Sequence, residues 1–501
     1  MVDVALGAGA AKLRSYAVGC ALACSRGRHG GYLAADCIFT ETKDGRVIHF
    51  IGIGGIGMSA IAQIMLARGE AISGSDLKES PITAQLRQAG ARIACGHAAK
   101  NITGASAVVV STAVAEDNPE LRAAKAAGLP VIRRGAMLAK LMRERRGIAI
   151  AGTHGKTTTT AMTAAVLLAG GIDATVLMGG QALGSGTNAH NGTAPWLLTE
   201  ADESDGSFME LEPEIAVVTN IENDHIITDA ELPRLQQSFA EFLARLPANG
   251  LAAIGIDNPN SAVLLDHPRA SGTISFGLSR LADVHPEKLR PRGLGSTFDV
   301  VERKTSIGSV MLRVPGEINV QNALGAATIG RALGLQFNII ADALENYAGV
   351  HRRFEILAQS ERMTVVDDYA HHPTAITATI AAARRFHSGP VIAAFQPHRY
   401  SRTAYLADAF AQSLCAADAV YLAPIYAASE RPMEGISERC IGEPLHETGK
   451  RVRYVENVND LTNVLLREVP AKSLVLMLGA GDITEVAANL ARALQPAALR
   501  T

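Results

Sequence analysis

Short apolar runs alternate with longer helical patterns from about residue 46 to the end of the chain. The runs at 47–52, 107–110 and 148–151 are typical of buried strands, and the segment at 58–67 is typical of an apolar helix. Strands separated by helices in this way predict a doubly wound parallel sheet. The alternation at 296–314 predicts an antiparallel hairpin instead. The pattern therefore predicts an α/β protein.

The strand at 148–151 leads into the sequence GTHGKT at 152–157, and a helix is predicted from about residue 158 to 168. A strand, a glycine-rich loop, a Lys-Thr pair and a helix, in this order, can hold a triphosphate. Backbone amides and the helix N-terminus attract the phosphates, Lys156 adds a positive charge, and the Thr157 hydroxyl can bind Mg²⁺. The position six before Lys156 is Ile150 rather than glycine, so the loop is a shorter form of the usual motif.

Two further strands end in polar residues that suit a metal. The run at 196–199 leads into the acidic segment at 200–205, and the run at 215–219 leads towards His225. The carboxyl ends of parallel strands meet at one edge of a sheet, so these groups and Thr157 are predicted to converge on Mg²⁺. The alternative is a solvated acidic turn and a loop histidine.

A second glycine-rich motif, GIGGIG at 52–57, follows the first strand and precedes a helix. It fits the dinucleotide-binding pattern G-x-G-x-x-G, with Asp76 at the end of the next strand in position to hold a ribose. NAD is the first interpretation, but the motif itself indicates only a diphosphate at a helix N-terminus. Ser111 and Thr112 lie at a strand's carboxyl end, where such sheets bind ligands.

Polar residues also follow strands in the last third of the chain. Arg399 and Arg402 are three positions apart, so on a helix they can face one way and clamp a carboxylate or phosphate. The alternative is a solvated basic turn. Asn319 and Asn322 stand where a helix is predicted to begin, and simple capping is the alternative to a ligand contact.

Composition narrows the class of protein. Among 501 residues, 47 Lys and Arg face 49 Asp and Glu, which gives no support to nucleic-acid or membrane-surface binding through bulk charge. The six cysteines form no CxxC pair and indicate reduced thiols of a cytosolic protein. No apolar run is long enough to span a bilayer.

We predict a disordered or mis-started extension at 1–45 and domains at 46–146, 147–350 and 351–501.

Taken in order, the motifs resemble those of the Mur ligase family of peptidoglycan synthesis. The resemblance runs from about residue 46 to the C-terminus and rests on HFIGIGGIGMSAIA from His49, SGSD from Ser73, AGTHGKTTTT from Ala151, EADESDGSF from Glu200, TNIENDH from Thr219, RRFE from Arg352, DDYAHHPT from Asp367, QPHRYSRT from Gln396 and GAGDI from Gly479. It implies an N-terminal Rossmann-like parallel sheet, a central P-loop ATPase-type α/β domain and a C-terminal Rossmann-like α/β domain.

Within the family, the chain is most similar to the members that add the first amino acid. The implied reaction is ATP-dependent, Mg²⁺-assisted ligation of L-alanine to the lactyl carboxylate of UDP-N-acetylmuramate through an acyl phosphate, with ADP and phosphate as products. The resemblance implies a cytoplasmic monomer or weak homodimer with no nucleic-acid or membrane partner. The alternatives are a tripeptide-recycling or sibling Mur ligase, an NAD-dependent oxidoreductase, and a non-catalytic nucleotide sensor.

The resemblance also implies roles for individual residues. The implied nucleotide contacts are Gly152, Thr153, His154, Gly155, Lys156, Thr157, Thr158, Asn319, Asn322, Arg353 and Asp368. The implied magnesium ligands are Thr157, Glu200 and His225. The implied substrate contacts are Gly52, Gly54, Gly55, Gly57, Ser73, Asp76, Ser111, Thr112, Arg134, Tyr369, His371, Arg399 and Arg402. The implied catalytic residues are Lys156, Glu200, His225, Arg353, Asp368, His371, Arg399 and Arg402.

The chain departs from the family pattern at Ile318, where histidine is common, and in the stretch containing Ile227. These changes put one nucleotide contact and part of the metal surroundings in question. Several sibling ligases use a carbamylated lysine as a metal bridge in the central domain. No lysine lies between Lys156 and Lys288, so that device is not expected here.

Overall fold

The computed structural model describes residues 46–184, 186–222, 231–267, 272–428 and 430–495. The predicted extension at 1–45 and the predicted metal ligand His225 lie outside these ranges. The described residues form three sheets of five, ten and six strands, each with its own helices. In that part of the chain, none of the helices combines the length and the hydropathy needed to cross a bilayer.

The first domain is a doubly wound parallel sheet. Its elements are β1 (Val47–Ile51), α1 (Ile56–Ala67), β2 (Ala71–Asp76), α2 (Pro81–Gln88), β3 (Arg92–Cys95), β4 (Ala105–Val110), α3 (Pro119–Ala126), β5 (Val131–Arg133) and α4 (Arg134–Arg143). The strand order is β3-β2-β1-β4-β5, and every pairing is parallel. The order reverses between β1 and β4, and ligands of such sheets bind at the carboxyl ends of the strands there.

The central domain is built on ten strands. Its elements are β6 (Arg146–Ala151), α5 (Lys156–Ala169), β7 (Thr175–Leu177), β8 (Ala189–His190), β9 (Trp196–Glu200), β10 (Ile215–Val218), α6 (Leu232–Ala244), β11 (Leu251–Gly255), α7 (Pro259–Ala262), β12 (Gly272–Phe276), β13 (Val284–Arg292), β14 (Gly295–Glu302), β15 (Thr305–Leu312), α8 (Glu317–Ala332) and α9 (Phe337–Glu345). The order is β15-β14-β13-β12-β11-β10-β6-β9-β7-β8.

Two features of this sheet bear on the predictions. Strand β6 lies between β10 and β9 and is parallel to both, so the carboxyl ends of the three strands meet at one edge as predicted. The predicted hairpin is confirmed as β14 and β15, with β13 as a third antiparallel strand beside it.

The third domain has a mostly parallel sheet. Its elements are β16 (Glu355–Gln359), β17 (Met363–Asp368), α10 (Pro373–Phe386), β18 (Val391–Phe395), α11 (Tyr400–Leu414), β19 (Ala419–Leu422), α12 (Arg439–Glu447), β20 (Arg451–Tyr454), α13 (Leu461–Glu468), β21 (Ser473–Leu478) and α14 (Ile483–Leu494). The order is β16-β17-β21-β18-β19-β20, and only the β16 pairing is antiparallel. Every residue of β18 and β21 is buried, because apolar side chains pack on both faces of this sheet.

A buried carboxylate holds together the polar interior of the first domain. Glu120 in α3 is fully buried and accepts hydrogen bonds from Ser75 Oγ (2.5 Å) and Asn101 Nδ2 (2.5 Å). His49 Nε2 lies 3.6 Å from the same carboxylate. Burial by itself would raise the pKa of Glu120, but the hydrogen bonds from His49, Ser75 and Asn101 lower it to about 2.

We expect Glu120→Gln to lower the unfolding free energy of the first domain at pH 7 by about 2 kcal/mol, because hydrogen bonds to a charged acceptor are lost in a buried site. Since the folded pKa lies below the ordinary 4.5, this stabilisation is present above pH 4.5 and is lost as the pH falls towards about 2. Hydrogen exchange of β1 and β4 measures it, with β18 in the third domain as the internal control. A difference between wild type and variant that stayed constant down to pH 3 would contradict the assignment.

Candidate active site

One cavity of about 970 Å³ is lined by residues of all three domains. Its wall contains most of the residues singled out from the sequence, namely Gly52, Gly54, Gly55, Gly57, Asp76, Ser111, Thr112, Arg134, Thr153, His154, Gly155, Lys156, Thr157, Glu200, Arg353, Tyr369 and His371. The fold therefore brings both glycine-rich loops and Arg353, from the charged joint at 349–355 between the central and third domains, to one space. Cavities of this size are typical of ligand sites.

The loop between β6 and α5 has the backbone geometry of a phosphate-binding turn. Gly152 and Gly155 have φ angles of +120° and +83°, which residues with a side chain rarely adopt. A Cβ atom on Gly155 would also collide with Asn322 Oδ1. The loop is anchored to the end of β10, because Asn220 O accepts from Thr153 N (3.0 Å) and Asn220 Oδ1 accepts from His154 N (2.8 Å).

Lys156 begins α5 and points back along the loop. Its ammonium donates to Gly152 O (2.5 Å), Thr153 O (3.2 Å) and Glu203 Oε2 (2.7 Å). Burial would lower the pKa of Lys156, but the charges of Glu203, Asp202 and Glu200 outweigh it, and the pKa is raised. The lysine is therefore charged, as a phosphate contact requires.

Thr157 and Glu200 form a pair of oxygen donors at the cavity wall. Thr157 Oγ1 donates to Glu200 Oε2 (3.0 Å), and Gly179 N donates to Glu200 Oε1 (2.5 Å). Burial raises the pKa of Glu200, although the Gly179 hydrogen bond and the charge of Lys156 oppose the change. A hydroxyl and a carboxylate are hard donors, so this pair fits Mg²⁺. A bound cation would also offset the burial that disfavours the charged carboxylate.

Asp76 supports the glycine-rich loop of the first domain. Its Oδ2 accepts from Gly54 N (2.9 Å), and a Cβ atom on Gly54 would collide with the same carboxylate. The predicted ribose ligand thus braces the loop as well as lining the cavity. Ser73, which was predicted to bind substrate, is not among the residues that line the cavity. It is buried within β2, where its Oγ lies 2.9 Å from His49 Nδ1.

Arg134 joins the first domain to the acidic segment after β9. Its Nη2 donates to Asp205 Oδ2 (2.9 Å) and Ser207 Oγ (3.2 Å). Glu200 and Glu203 of the same segment face the phosphate loop. The alternative of a solvated acidic turn is therefore wrong, because these carboxylates bind partners in two domains.

The joint before the third domain places Arg353 in the cavity. The Arg353 guanidinium lies 5.2 Å from the centre of the Tyr369 ring, and its charge acts on both Glu200 and Asp368. Asp368 itself is buried, and its two oxygens accept from Phe354 N (2.9 Å) and Ala370 N (2.8 Å). Burial raises the pKa of Asp368 despite these bonds and the charge of Arg353. This carboxylate holds the joint in shape behind Arg353.

Comparison with known proteins matches each domain in turn. The model of the Mur ligase family catalytic domain matches residues 47–146, that of the Mur ligase middle domain matches 150–330, and that of the Mur ligase glutamate ligase domain matches 352–481. The chain belongs to the Mur ligase family. This confirms the resemblance and the three-domain α/β prediction, and it leaves the oxidoreductase interpretation without support.

The curated relatives are similar over nearly their whole length. A UDP-N-acetylmuramate–L-alanine ligase of Xanthomonas campestris pv. campestris (strain B100) is 47% identical over 452 residues, which are 88% of this chain and 94% of the relative. The enzyme of that name from Stenotrophomonas maltophilia (strain K279a) is 45% identical over 453 residues, covering 89% and 94%.

Two solved structures share the fold at lower identity. The UDP-N-acetylmuramate-alanine ligase of Thermotoga maritima is 31% identical, covers 88% of this chain and 97% of its own, and has a TM-score of 0.76. A murein peptide ligase of Psychrobacter arcticus is 25% identical, covers 90% and 99%, and has a TM-score of 0.69.

Asn319 and Asn322 lie inside the first turns of α8 in this Mur ligase. The N-cap is Gly316, so the capping alternative is wrong. Asn322 Oδ1 accepts from Thr159 Oγ1 (3.1 Å), and Asn322 Nδ2 donates to Asn319 Oδ1 (3.1 Å). The two amides therefore support the phosphate loop and α5 from behind. Their direct contact with ATP stays a prediction.

The two arginines after β18 do not form the predicted helical clamp. Arg399 lies before α11 with a φ angle of +73° and is exposed, whereas Arg402 lies inside the helix and is buried. The spacing argument requires both residues to be helical, and Arg399 is not. Their separate roles in substrate binding and catalysis remain predictions.

Asn188 makes a contact between two domains that the sequence did not reveal. It is fully buried, donates through Nδ2 to Ile56 O (2.6 Å) and Ser59 Oγ (3.0 Å), and accepts from Gln63 Nε2 (2.8 Å). It thereby joins the central domain to the first turns of α1, directly after the glycine-rich loop. An asparagine in a loop carries no local signal of a partner more than a hundred residues away.

Proposed function

We propose that this Mur ligase joins L-alanine to the lactyl carboxylate of UDP-N-acetylmuramate, converting ATP to ADP and phosphate. The observation that carries the proposal is the cavity lined by all three domains, around which lie the glycine-rich loop of the first domain, the phosphate loop and Arg353. Substrate identity is supported by the relatives of that name at 45–47% identity over most of the chain.

Each domain supplies one part of the reaction. The glycine-rich loop at 52–57 opens onto α1, whose N-terminus suits the diphosphate of the UDP sugar. Lys156 and the backbone of its loop would hold the terminal phosphates of ATP. Thr157 and Glu200 would hold Mg²⁺. The bound ion would neutralise part of the negative charge of the phosphates. His225 is proposed to complete that metal site.

The proposed chemistry has two displacements. The lactyl carboxylate attacks the γ-phosphorus and ADP leaves, which gives an acyl phosphate. The amine of L-alanine then attacks the acyl carbon and phosphate leaves. Lys156 would neutralise charge in the first step, and Arg353, which lines the cavity, would stabilise the oxyanion of the second. Tyr369 and His371 line the same wall and would help to exclude water, which otherwise hydrolyses the acyl phosphate.

The decisive experiment measures phosphate release with every combination of substrates. We expect release only when ATP, Mg²⁺, UDP-N-acetylmuramate and L-alanine are all present. Release with the tripeptide and not with alanine would identify a recycling ligase instead. ATP binding with no release under any combination would identify a nucleotide sensor.

ATP and the UDP sugar are cytoplasmic metabolites, so we place the reaction in the cytoplasm.

A further inference from the structure

Three side chains meet where the phosphate loop faces the third domain. They are His154 in the loop, Glu222 after β10, and His372 at the N-cap of α10. Each offers one atom that can bind a metal, and the three atoms lie within 4.8 Å of one another. His154 Nε2 is 3.2 Å from Glu222 Oε2, and His372 Nδ1 is 3.9 Å from the same oxygen.

These separations suit a small tetrahedral cation. Zinc binds histidine nitrogen and carboxylate oxygen at about 2.0–2.2 Å, so two ligands of one tetrahedral ion lie about 3.3 Å apart. The His154 and Glu222 atoms are already close to that separation, and His372 Nδ1 has to approach Glu222 Oε2 from 3.9 Å to about 3.3 Å. Two histidines and one glutamate are a common zinc ligand set, with the fourth position left to water.

The surroundings hold the glutamate in place. Thr374 Oγ1 donates to Glu222 Oε2 (2.7 Å), and Glu222 N donates to Thr153 Oγ1 (2.8 Å). The carboxylate also faces the N-terminus of α10, which favours negative charge. Burial would raise the pKa of Glu222, but the hydrogen bonds from His154 and Thr374 and the charges of the histidines lower it. Glu222 is therefore ionised, as a metal ligand must be.

We propose that His154, Glu222 and His372 form a binding site for Zn²⁺ or a similar transition-metal ion between the central and third domains. The site is separate in chemistry from the Thr157–Glu200 pair. Imidazole selects transition metals, whereas a hydroxyl and a carboxylate select Mg²⁺. A metal bound here joins the phosphate loop to the start of α10. The proposal does not depend on which amino acid is ligated.

The test is a Co²⁺ titration of the full-length protein in a large excess of Mg²⁺, which fills the oxygen site. We expect one equivalent of Co²⁺ with the intense visible absorption of tetrahedral coordination, displaced by one equivalent of Zn²⁺. Changing residues that merely orient a ligand lowers metal affinity about 10–100-fold. His372→Ala and Glu222→Gln, which remove ligands, should therefore weaken binding at least about tenfold.

His190→Ala is the matched control, because His190 also pairs with a carboxylate, Asp173, on an exposed surface (2.6 Å). It should leave the Co²⁺ affinity unchanged. Circular dichroism checks that the variants are folded, and anomalous diffraction of the wild type with Zn²⁺ locates the ion without any variant. Unchanged affinity in both folded ligand variants, the weak absorption of octahedral Co²⁺, or an anomalous peak away from the three residues would each overturn the proposal.

Discussion

Lys156→Ala is expected to lower the rate of ATP-dependent ligation by a factor of about 10³ or more, because it removes the positive charge that meets the transferred phosphate. Binding of UDP-N-acetylmuramate should remain nearly intact, since the glycine-rich loop that would hold its diphosphate belongs to another domain. Steady-state phosphate release and calorimetric titration with the UDP sugar measure the two effects. Lys125→Ala, which removes an exposed ion pair with Glu116, is the control and should change neither.

Lys156→Ala should also change the stability of the central domain, and this effect can be measured separately from the loss of activity. The Glu203 side chain is only 3% exposed and would lose its ammonium partner. Removing one member of a buried ion pair costs about 3–5 kcal/mol, so the central domain should be less stable. The double variant Lys156→Ala, Glu203→Gln should recover much of this stability and none of the activity. Recovery of activity, or loss of UDP-sugar binding in either variant, would contradict the division of roles between domains.

Local sequence patterns predicted the strands and helices whose formation depends mainly on neighbouring residues. Strand β6, the GTHGKT loop and helix α5 occur in the predicted order, which follows from an apolar run and the glycine positions. Strand β3 (Arg92–Cys95) was missed, because it is a short edge strand whose residues are only partly buried or exposed. Helix α8 begins at Glu317, so Asn319 and Asn322 lie inside its first turns rather than at its start.

The site was predictable where the ends of neighbouring parallel strands define it, and not where it depends on individual side-chain contacts between distant segments. The phosphate loop and Glu200 were found because strand ends converge on one edge of a parallel sheet. The Lys156–Glu203 pair, the Asn188 contact with α1 and the cluster of His154, Glu222 and His372 all depend on packing between distant segments. The burial of Ser73 and Arg402 was not predictable either, since sequence spacing does not show which polar side chains turn inward.

Glu200→Gln is expected to raise the Mg²⁺ concentration needed for half-maximal activity by about tenfold or more and to lower the maximal rate. The amide keeps the size of the side chain and still accepts from Thr157 Oγ1, but it cannot supply the negative charge that a hard divalent cation requires. The predicted loss is thus electrostatic rather than steric. Phosphate release measured across a range of Mg²⁺ concentrations at saturating ATP tests this directly.

Glu214→Gln is the matched control for this charge change. Glu214 precedes β10 and pairs with Arg146 at the surface (2.7 Å), so the substitution removes one negative charge from the same domain without touching the cavity. It should leave the Mg²⁺ dependence as it is. An unchanged Mg²⁺ requirement in Glu200→Gln would mean that the cation is held by other groups. In that case Thr157 and Glu200 would act only on each other, and the predicted metal position at the end of β9 would have to be abandoned.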